Sequence, residues 1–225
     1  MTESEIDTIR FFDEMGCNLA RIPECSEKTP DFFIETEKQK IFIEVKEITN
    51  NDEDKRLIKE VSTHGQTGMH NTPGVGKRFR PAIHSANKQL KKKCKDGDPG
   101  LVIIQDVRDF FTKSVMPQEE IKQAMFGDRV TWISVNSKEV KSDIFQENKT
   151  TTNAKNTTIS AVGLMVKNSQ NNELTLHIHH NPHAKNKLIS PVFVCNSVYE
   201  YHIDNTNSYS NFQSGNTPIT NKGSG

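Results

Sequence analysis

The sequence has few cysteines, and none of them are paired in a motif. Four occur in 225 residues, and no two form a C-x-x-C pair. This spacing lacks the pattern of a zinc knuckle, and a chain of this length can bury a core without disulfide bonds. We therefore expect reduced thiols and a cytoplasmic protein.

Long apolar runs are also missing. No stretch approaches the roughly 20 apolar residues that a membrane-spanning helix needs. The first ten residues, MTESEIDTIR, are acidic and contain no apolar segment of the kind found in a signal peptide. These features predict a protein that does not enter a membrane.

The chain has no excess of charge of either sign. Lysine and arginine together number 29, as do aspartate and glutamate. A neutral total gives no overall attraction to nucleic acid, so any such binding must come from local basic patches.

The order of predicted elements favours an α/β fold with a mixed central sheet flanked by helices. The apolar spacing of Ile6, Ile9 and Phe12 predicts a first helix, which Gly16 ends. We expect a single domain over residues 1–204, with its core motif in residues 3–107, followed by a polar, disordered tail over residues 205–225. Further predictions are helices at 3–15, 54–63, 81–95 and 117–125, strands at 31–36, 40–48, 101–107, 130–135, 159–167 and 173–180, a last short element at 193–201, a loop at 64–81 and an exposed excursion at 142–158.

The predicted hairpin at residues 31–48 carries charged residues inside an apolar run. Side chains alternate between faces along a strand, so Glu44 and Lys46 share one face. A tight turn at Glu37 and Lys38 pairs positions whose numbers sum to 75, and it places Asp31 opposite Glu44. A register shift of one residue would separate them. In the favoured register the two acids and the lysine form one patch, and the opposite face is apolar.

Such a patch favours metal-assisted chemistry on phosphates. Two adjacent carboxylates repel each other unless a cation joins them, and oxygen ligands suit Mg²⁺ or Mn²⁺. A neighbouring lysine can orient the attacking water or offset the charge of the transition state. The hairpin therefore indicates hydrolysis of phosphodiester bonds.

The pair Pro30-Asp31, followed after a short hairpin by Glu44-Val45-Lys46, resembles the motif of the PD-(D/E)XK nuclease superfamily. The resemblance covers about the first half of the chain and implies a restriction-endonuclease-like core. In this core a helix, a three-stranded meander and a second helix precede a further strand. It also implies metal ligation by Asp31, Glu44 and the Val45 carbonyl, with Lys46 as the catalytic lysine. The third meander strand is not evident in the sequence, and no subfamily is assigned.

Many members of that superfamily carry a further glutamate on the first helix. Glu5 is the position that we match to it, and Glu14 is the competing position. Some relatives carry a glutamine on the helix after the catalytic strand, a position that Gln89 matches, and we include Gln89 among the expected nucleic-acid contacts. The Q-x-x-x-Y pattern of the exonuclease subgroup is absent because residue 93 is lysine.

A basic segment near residue 80 is the expected nucleic-acid contact. Lys77, Arg78 and Arg80 end the glycine-rich loop, which we expect to be mobile and to close onto the phosphate backbone. Together with the hairpin, this segment predicts an Mg²⁺-dependent DNA endonuclease, for which a homodimer is one compatible oligomeric state.

Two other functions are compatible with the sequence. One is a non-catalytic DNA- or RNA-binding module on the same fold. The other is a zinc hydrolase that uses His177, His179, His180 and His183. The segment lacks an HExxH motif, so we favour a strand that is rich in half-buried histidines.

Overall fold

The computed structural model describes residues 1–23, 28–65, 75–95, 97–110, 112–203 and 209–213. The protein is α/β, with a mixed eight-stranded sheet and a separate two-stranded sheet. No helix within these ranges has both the length and the apolar character needed to cross a bilayer.

The helices are α1 (Glu3–Glu14), α2 (Asp52–His64), α3 (Phe79–Leu90) and α4 (Pro117–Phe126). The strands are β1 (Leu19–Arg21), β2 (Phe32–Glu35), β3 (Lys40–Ile48), β4 (Gly100–Asp106), β5 (Asp128–Ile133), β6 (Val140–Gln146), β7 (Ile159–Lys167), β8 (Leu174–His180), β9 (Val198–Ile203) and β10 (Tyr209–Gln213).

The main sheet has the strand order β1-β2-β3-β4-β7-β8-β9-β10. Strands β1, β2 and β3 form an antiparallel meander. Strand β4 lies parallel to β3, and β7 lies parallel to β4. The three residues of β1 were missed in the sequence because a strand this short has no readable alternation.

Two apolar clusters pack on opposite faces of this sheet. On one face α1 places Phe11 and Phe12 against Ile43 of β3. On the other face α3 and α4 contribute Phe79 and Ile121, among others. All residues of β4 except the last are buried, which confirms the prediction of a strand covered on both faces.

Helix α1 confirms the prediction of an N-terminal helix, but the predicted stripe is partly wrong. Thr2 caps its N-terminus, and Gly16 follows its end with a positive φ of 69°. Ile6 is 52% exposed, whereas Asp7 is buried. A polar contact explains why Asp7 rather than Ile6 is buried. The Gln105 amide of β4 donates to Asp7 at 2.8 Å, and this bond holds the Asp7 side of the helix against the sheet.

The pairing of β2 with β3 has the predicted register. Phe32 lies opposite Ile43, and Glu35 lies opposite Lys40. Continuing this pairing by one residue places Asp31 opposite Glu44. The hairpin therefore presents Ile41, Ile43 and Val45 to α1. It presents Glu44 and Lys46 to the opposite face, which carries α3.

Two polar segments contain more structure than predicted. The expected excursion at 142–158 includes part of β6, which pairs with β5. It also includes buried Thr151, whose hydroxyl donates to the Met125 carbonyl. Within the predicted disordered tail, Tyr209–Gln213 forms β10 against β9, and the other residues of 205–225 lie outside the described ranges. A side-chain hydrogen bond to the backbone therefore anchors the first polar segment, and pairing at the edge of the sheet anchors the second.

Candidate active site

The two acids of the hairpin lie side by side at the end of β2. Asp31 accepts a hydrogen bond from the Val45 N–H at 2.8 Å. This bond fixes Asp31, which directly precedes β2, against β3. Glu44 is 0% exposed, and its Oε2 atom accepts no hydrogen bond from the described residues. The sequence-predicted pair is therefore brought together, with one oxygen left without a donor.

Burial and mutual repulsion perturb both carboxyl groups. Burial, followed by the charge of Asp31, raises the pKa of Glu44 to about 8, although Lys46 opposes the shift. Burial also raises the pKa of Asp31, against the hydrogen bond from Val45 and the charge of Lys46. The two shifts have the same direction, so the pair binds a proton more tightly than two isolated carboxyl groups would.

Lys46 completes the predicted group. Its ammonium lies 2.5 Å from Glu44 Oε1 and donates to Gln89 Oε1 at 2.9 Å. The lysine side chain is 22% exposed, so it connects the buried acids with solvent. Asp31 is also only half-buried, so both Lys46 and Asp31 can be reached from solvent, whereas Glu44 cannot.

Gln89 lies on α3, where the resemblance placed a site glutamine. Its amide nitrogen donates to the Thr29 carbonyl at 3.2 Å, while its oxygen accepts from Lys46. The Gln89 side chain therefore links α3 to Thr29, at the start of the hairpin motif, and to Lys46, at its end. In this position Gln89 holds Lys46, which differs from the predicted contact with nucleic acid.

The Val45 carbonyl faces the same acids. The N–H and C=O of one strand residue point to the same side, and the Val45 N–H points to Asp31. Strand β2 begins at Phe32 and pairs with Ile43 there, so it does not extend alongside Val45. A cation between Asp31 and Glu44 could thus also be reached by this carbonyl.

The structure favours Glu5 over Glu14 as the helix residue near the site. Glu5 lies 3.8 Å from Arg21 of β1, and the charge of Arg21 acts on Asp31. Glu14 is exposed at the other end of α1, where it pairs with Arg10. The described contacts connect Glu5 to the acids through Arg21 rather than directly.

These residues fit a divalent cation by their chemistry. Glu44 Oε2 has no donor among the described residues, and the Glu44 pKa is raised although Lys46 is in contact, so further positive charge would stabilise the ionised pair. A divalent ion could replace the proton, and carboxylate and carbonyl oxygens are the ligands that Mg²⁺ and Mn²⁺ prefer. Asp31, Glu44 and the Val45 carbonyl would hold it.

A cleft of about 1030 Å³ opens next to Lys46. Its walls come from the end of β3, from α2, from the start of α3, from residues 112–116 and from α4. Lys77 and Lys113 are exposed at this cleft and contact no acidic side chain among the described residues. Lys113 was missed in the sequence because it is an isolated basic residue in an irregular segment.

The two arginines of the predicted loop are paired within the chain. Helix α3 begins at Phe79, so the prediction of a loop as far as Pro81 is wrong, and residues 66–74 lie outside the described ranges. Arg78 donates twice to Asp54, at 2.8 and 2.9 Å, although it still lines the cleft. Arg80 forms an ion pair with Asp128. Both arginines therefore fasten α3 to neighbouring elements, which the sequence did not indicate.

The four histidines of residues 177–183 do not form one cluster, and three of them lie on strand β8 (Leu174–His180). His177 contacts the Tyr201 hydroxyl at 2.9 Å, and His179 contacts Gln118 at 2.8 Å. Burial lowers the pKa of His177 to about 4 and that of His179 well below its ordinary value, so both rings are neutral. His180 points to the opposite face of the sheet, and His183 is exposed.

Comparison with protein families, with curated proteins and with solved structures gives no match for this chain. The functional assignment therefore depends on the residues themselves and on their geometry.

Replacing Gln89 tests its role as a positioning residue. We expect Gln89→Met to lower kcat by roughly 10- to 100-fold in Mg²⁺-dependent DNA cleavage, with KM and melting temperature little changed, because Lys46 loses its acceptor. The exposed neighbour Lys88 provides the control, and Lys88→Ala should leave kcat unchanged. In a Lys46→Ala background the same Gln89 change should have no further effect. An equal effect in both backgrounds would contradict the role.

Proposed function

We propose that the protein is a metal-dependent nuclease that hydrolyses phosphodiester bonds in DNA. One observation carries the proposal. Asp31 and the fully buried Glu44 lie together on one face of a hairpin, with raised pKa values, beside Lys46. Acids with raised pKa values that lie next to a cleft are typical of functional sites.

The sheet topology supports this function. Helix α1, the β1-β2-β3 meander, helices α2 and α3 and then β4 follow one another in the chain. This order is compatible with the core that the resemblance implies, with one additional helix between β3 and β4. Asp31 lies directly before the second strand and Glu44 lies on the third.

The chain's own residues have distinct roles in the proposed reaction. Asp31, Glu44 and the Val45 carbonyl hold the cation. When bound, Mg²⁺ or Mn²⁺ would supply Lewis-acid activation of a water and would neutralise phosphate charge. The Lys46 ammonium donates to the attacking water or to a phosphate oxygen, and Gln89 keeps it in place.

A cleavage assay with several DNA forms tests the proposal directly. Purified protein is incubated with supercoiled, linear and single-stranded DNA in Mg²⁺, in Mn²⁺ and in EDTA. We expect metal-dependent nicking or cutting of at least one form, and a parallel reaction with RNA defines the sugar preference. Absence of cleavage in every metal condition would contradict a nuclease.

One feature favours the non-catalytic alternative on the same fold. The Lys46 ammonium already lies 2.5 Å from Glu44 Oε1, a contact that can hold the group together without metal. Binding of DNA that needs no cation, proceeds without turnover and is unaffected by Asp31→Ala would identify such a module.

The exposed lysines of the cleft are expected to contact the phosphate backbone. Replacing both Lys77 and Lys113 with alanine should weaken binding to all DNA sequences alike. It should also reduce the slope of log K against log[salt] by about 1.8, because two phosphate contacts are lost. Fluorescence anisotropy over a range of salt concentrations measures both quantities.

A matched control removes the same charge elsewhere. Lys91 and Lys93 are exposed beyond the end of α3 and do not line the cleft. The Lys91→Ala, Lys93→Ala double variant should keep the slope of the wild type. Equal losses in the two double variants would show that the attraction is general rather than located in the cleft.

A further inference from the structure

A second group of potential ligands lies far along the sheet from the hairpin. His180 ends β8, and Glu200 and His202 lie on β9, whereas the acids of the candidate active site lie next to β2 and on β3. One ligand atom from each of the three residues falls within 4.8 Å of the others. His180 Nε2 is 2.8 Å and His202 Nε2 is 3.9 Å from Glu200 Oε2.

Glu200 is held in place as a carboxylate. It is 1% exposed, and it accepts hydrogen bonds at 2.6 Å from the Ser190 hydroxyl and the Val192 N–H. Although burial alone would raise its pKa, the contacts with His180, Ser190 and Val192 lower it below the ordinary value. A buried anion is thus fixed between two imidazoles.

The two imidazoles are arranged to point toward this anion. The His180 and His202 rings are stacked, with centroids 3.9 Å apart and planes 16° apart. Metal binding requires neutral imidazoles and an ionised carboxylate, which are the groups that these three side chains bring together.

We propose that His180, Glu200 and His202 form a binding site for Zn²⁺ or a similar borderline divalent ion. Two imidazole nitrogens and one carboxylate oxygen are a donor set that suits zinc rather than Mg²⁺. With metal–ligand distances of about 2.1 Å, tetrahedral ligands lie about 3.4 Å apart. This separation falls between the two distances that Glu200 Oε2 makes, so metal binding would shift the carboxylate toward His202 and would also separate the stacked rings.

The site would stabilise this end of the sheet. It joins β8 to β9, and Glu200 also holds the segment that contains Ser190 and Val192. Because the ligands are assembled only in the folded chain, bound zinc would shift the unfolding equilibrium toward the folded state. This function is independent of DNA cleavage and of Mg²⁺.

Metal titration of the purified, chelator-treated protein tests the proposal. Calorimetry with Zn²⁺ in excess Mg²⁺, which occupies oxygen-ligand sites, should show one equivalent bound and a raised melting temperature. Co²⁺ in the same site should give the strong visible absorption of a four-coordinate, nitrogen-ligated ion. Absence of stoichiometric Zn²⁺ binding would overturn the proposal, whatever the outcome of the cleavage assays.

Variants locate the bound ion. His202 is 33% exposed in its side chain, so His202→Ala should fold, and His202→Gln keeps the volume if it does not. Either change should lower Zn²⁺ affinity by more than roughly 10-fold, the loss that removing an outer-shell partner alone can cause. His183→Ala, at an exposed histidine nearby, is the control and should bind as the wild type does. Unchanged affinity in the His202 variants, or an equal loss in His183→Ala, would show that the site is elsewhere.

Discussion

We expect Asp31→Asn and Lys46→Ala each to reduce Mg²⁺-dependent cleavage of DNA by roughly 10³-fold or more. Asp31→Asn removes the charge that binds the cation while it keeps the size of the side chain, so the N–H of Val45 still has an acceptor. Lys46→Ala removes the only cation in contact with Glu44 that is also open to solvent among the described residues. Losses of this size follow when a preorganised charge at the reacting centre is removed.

Single-turnover cleavage of supercoiled plasmid measures both effects. The control variants carry the same two types of substitution at positions away from the site. Lys40 lies on the same strand as Lys46 but pairs with Glu35 at its far end, and Asp52 is exposed at the start of α2. Lys40→Ala and Asp52→Asn should cleave at the wild-type rate. Cleavage that survives both Asp31→Asn and Lys46→Ala would exclude the hairpin as the catalytic site.

The second large effect concerns stability, and its sign is opposite to the effect on activity. Glu44→Gln should abolish cleavage and yet stabilise the fold at alkaline pH. The folded-state pKa of Glu44, about 8, lies above its ordinary value of 4.5. The folded protein therefore binds this proton more tightly than the unfolded chain does, and stability falls as the pH rises from about 4.5 to about 8. Glutamine carries no such proton and removes this dependence.

Denaturant unfolding between pH 6.5 and 8 isolates the contribution of Glu44. The slope for one such group is about 1.4 kcal/mol per pH unit, so the wild type should lose about 2 kcal/mol over this range. Burial holds the pKa values of His177 and His202 near 4, below this range, and all eight histidines are common to the wild type and the variants. Glu44→Gln should be nearly flat over the range, and the exposed Glu35→Gln should follow the wild type. A Glu44→Gln variant that loses stability as steeply as the wild type would refute the shifted pKa.

The hairpin was predictable because its information is local. Alternation over residues 40–48 and a short polar turn determine the register, and the register alone brings Asp31 to Glu44. The buried strand β4 and the pair β7–β8 were predictable for the same reason, since each is a continuous run with its own pattern. Likewise, the position of Gln89 followed from its place after the catalytic strand.

The remaining features depend on contacts between residues that are distant in the chain. Arg78 and Arg80 have no local feature that identifies Asp54 and Asp128 as their partners, so they were assigned to a free loop. In the sequence, His180 groups with the neighbouring histidines His177, His179 and His183. Its partners Glu200 and His202 come from a later strand, and alternation sends His177 and His179 to the other face. A pattern within one segment cannot identify a site that several segments build.

The separation of these contacts along the chain also has a kinetic consequence. The bond from Val45 to Asp31 closes a loop of 14 residues, whereas the bond from Lys46 to Gln89 closes one of 43. The longer closure costs about 1 kcal/mol more in chain entropy, and it requires α3 to dock on a sheet whose β3–β4 pairing is itself non-local. The two acids should therefore meet early in folding, and the lysine should reach its final position only when α3 packs. A chain arrested before that step would hold the carboxylate pair without the group that orients its chemistry.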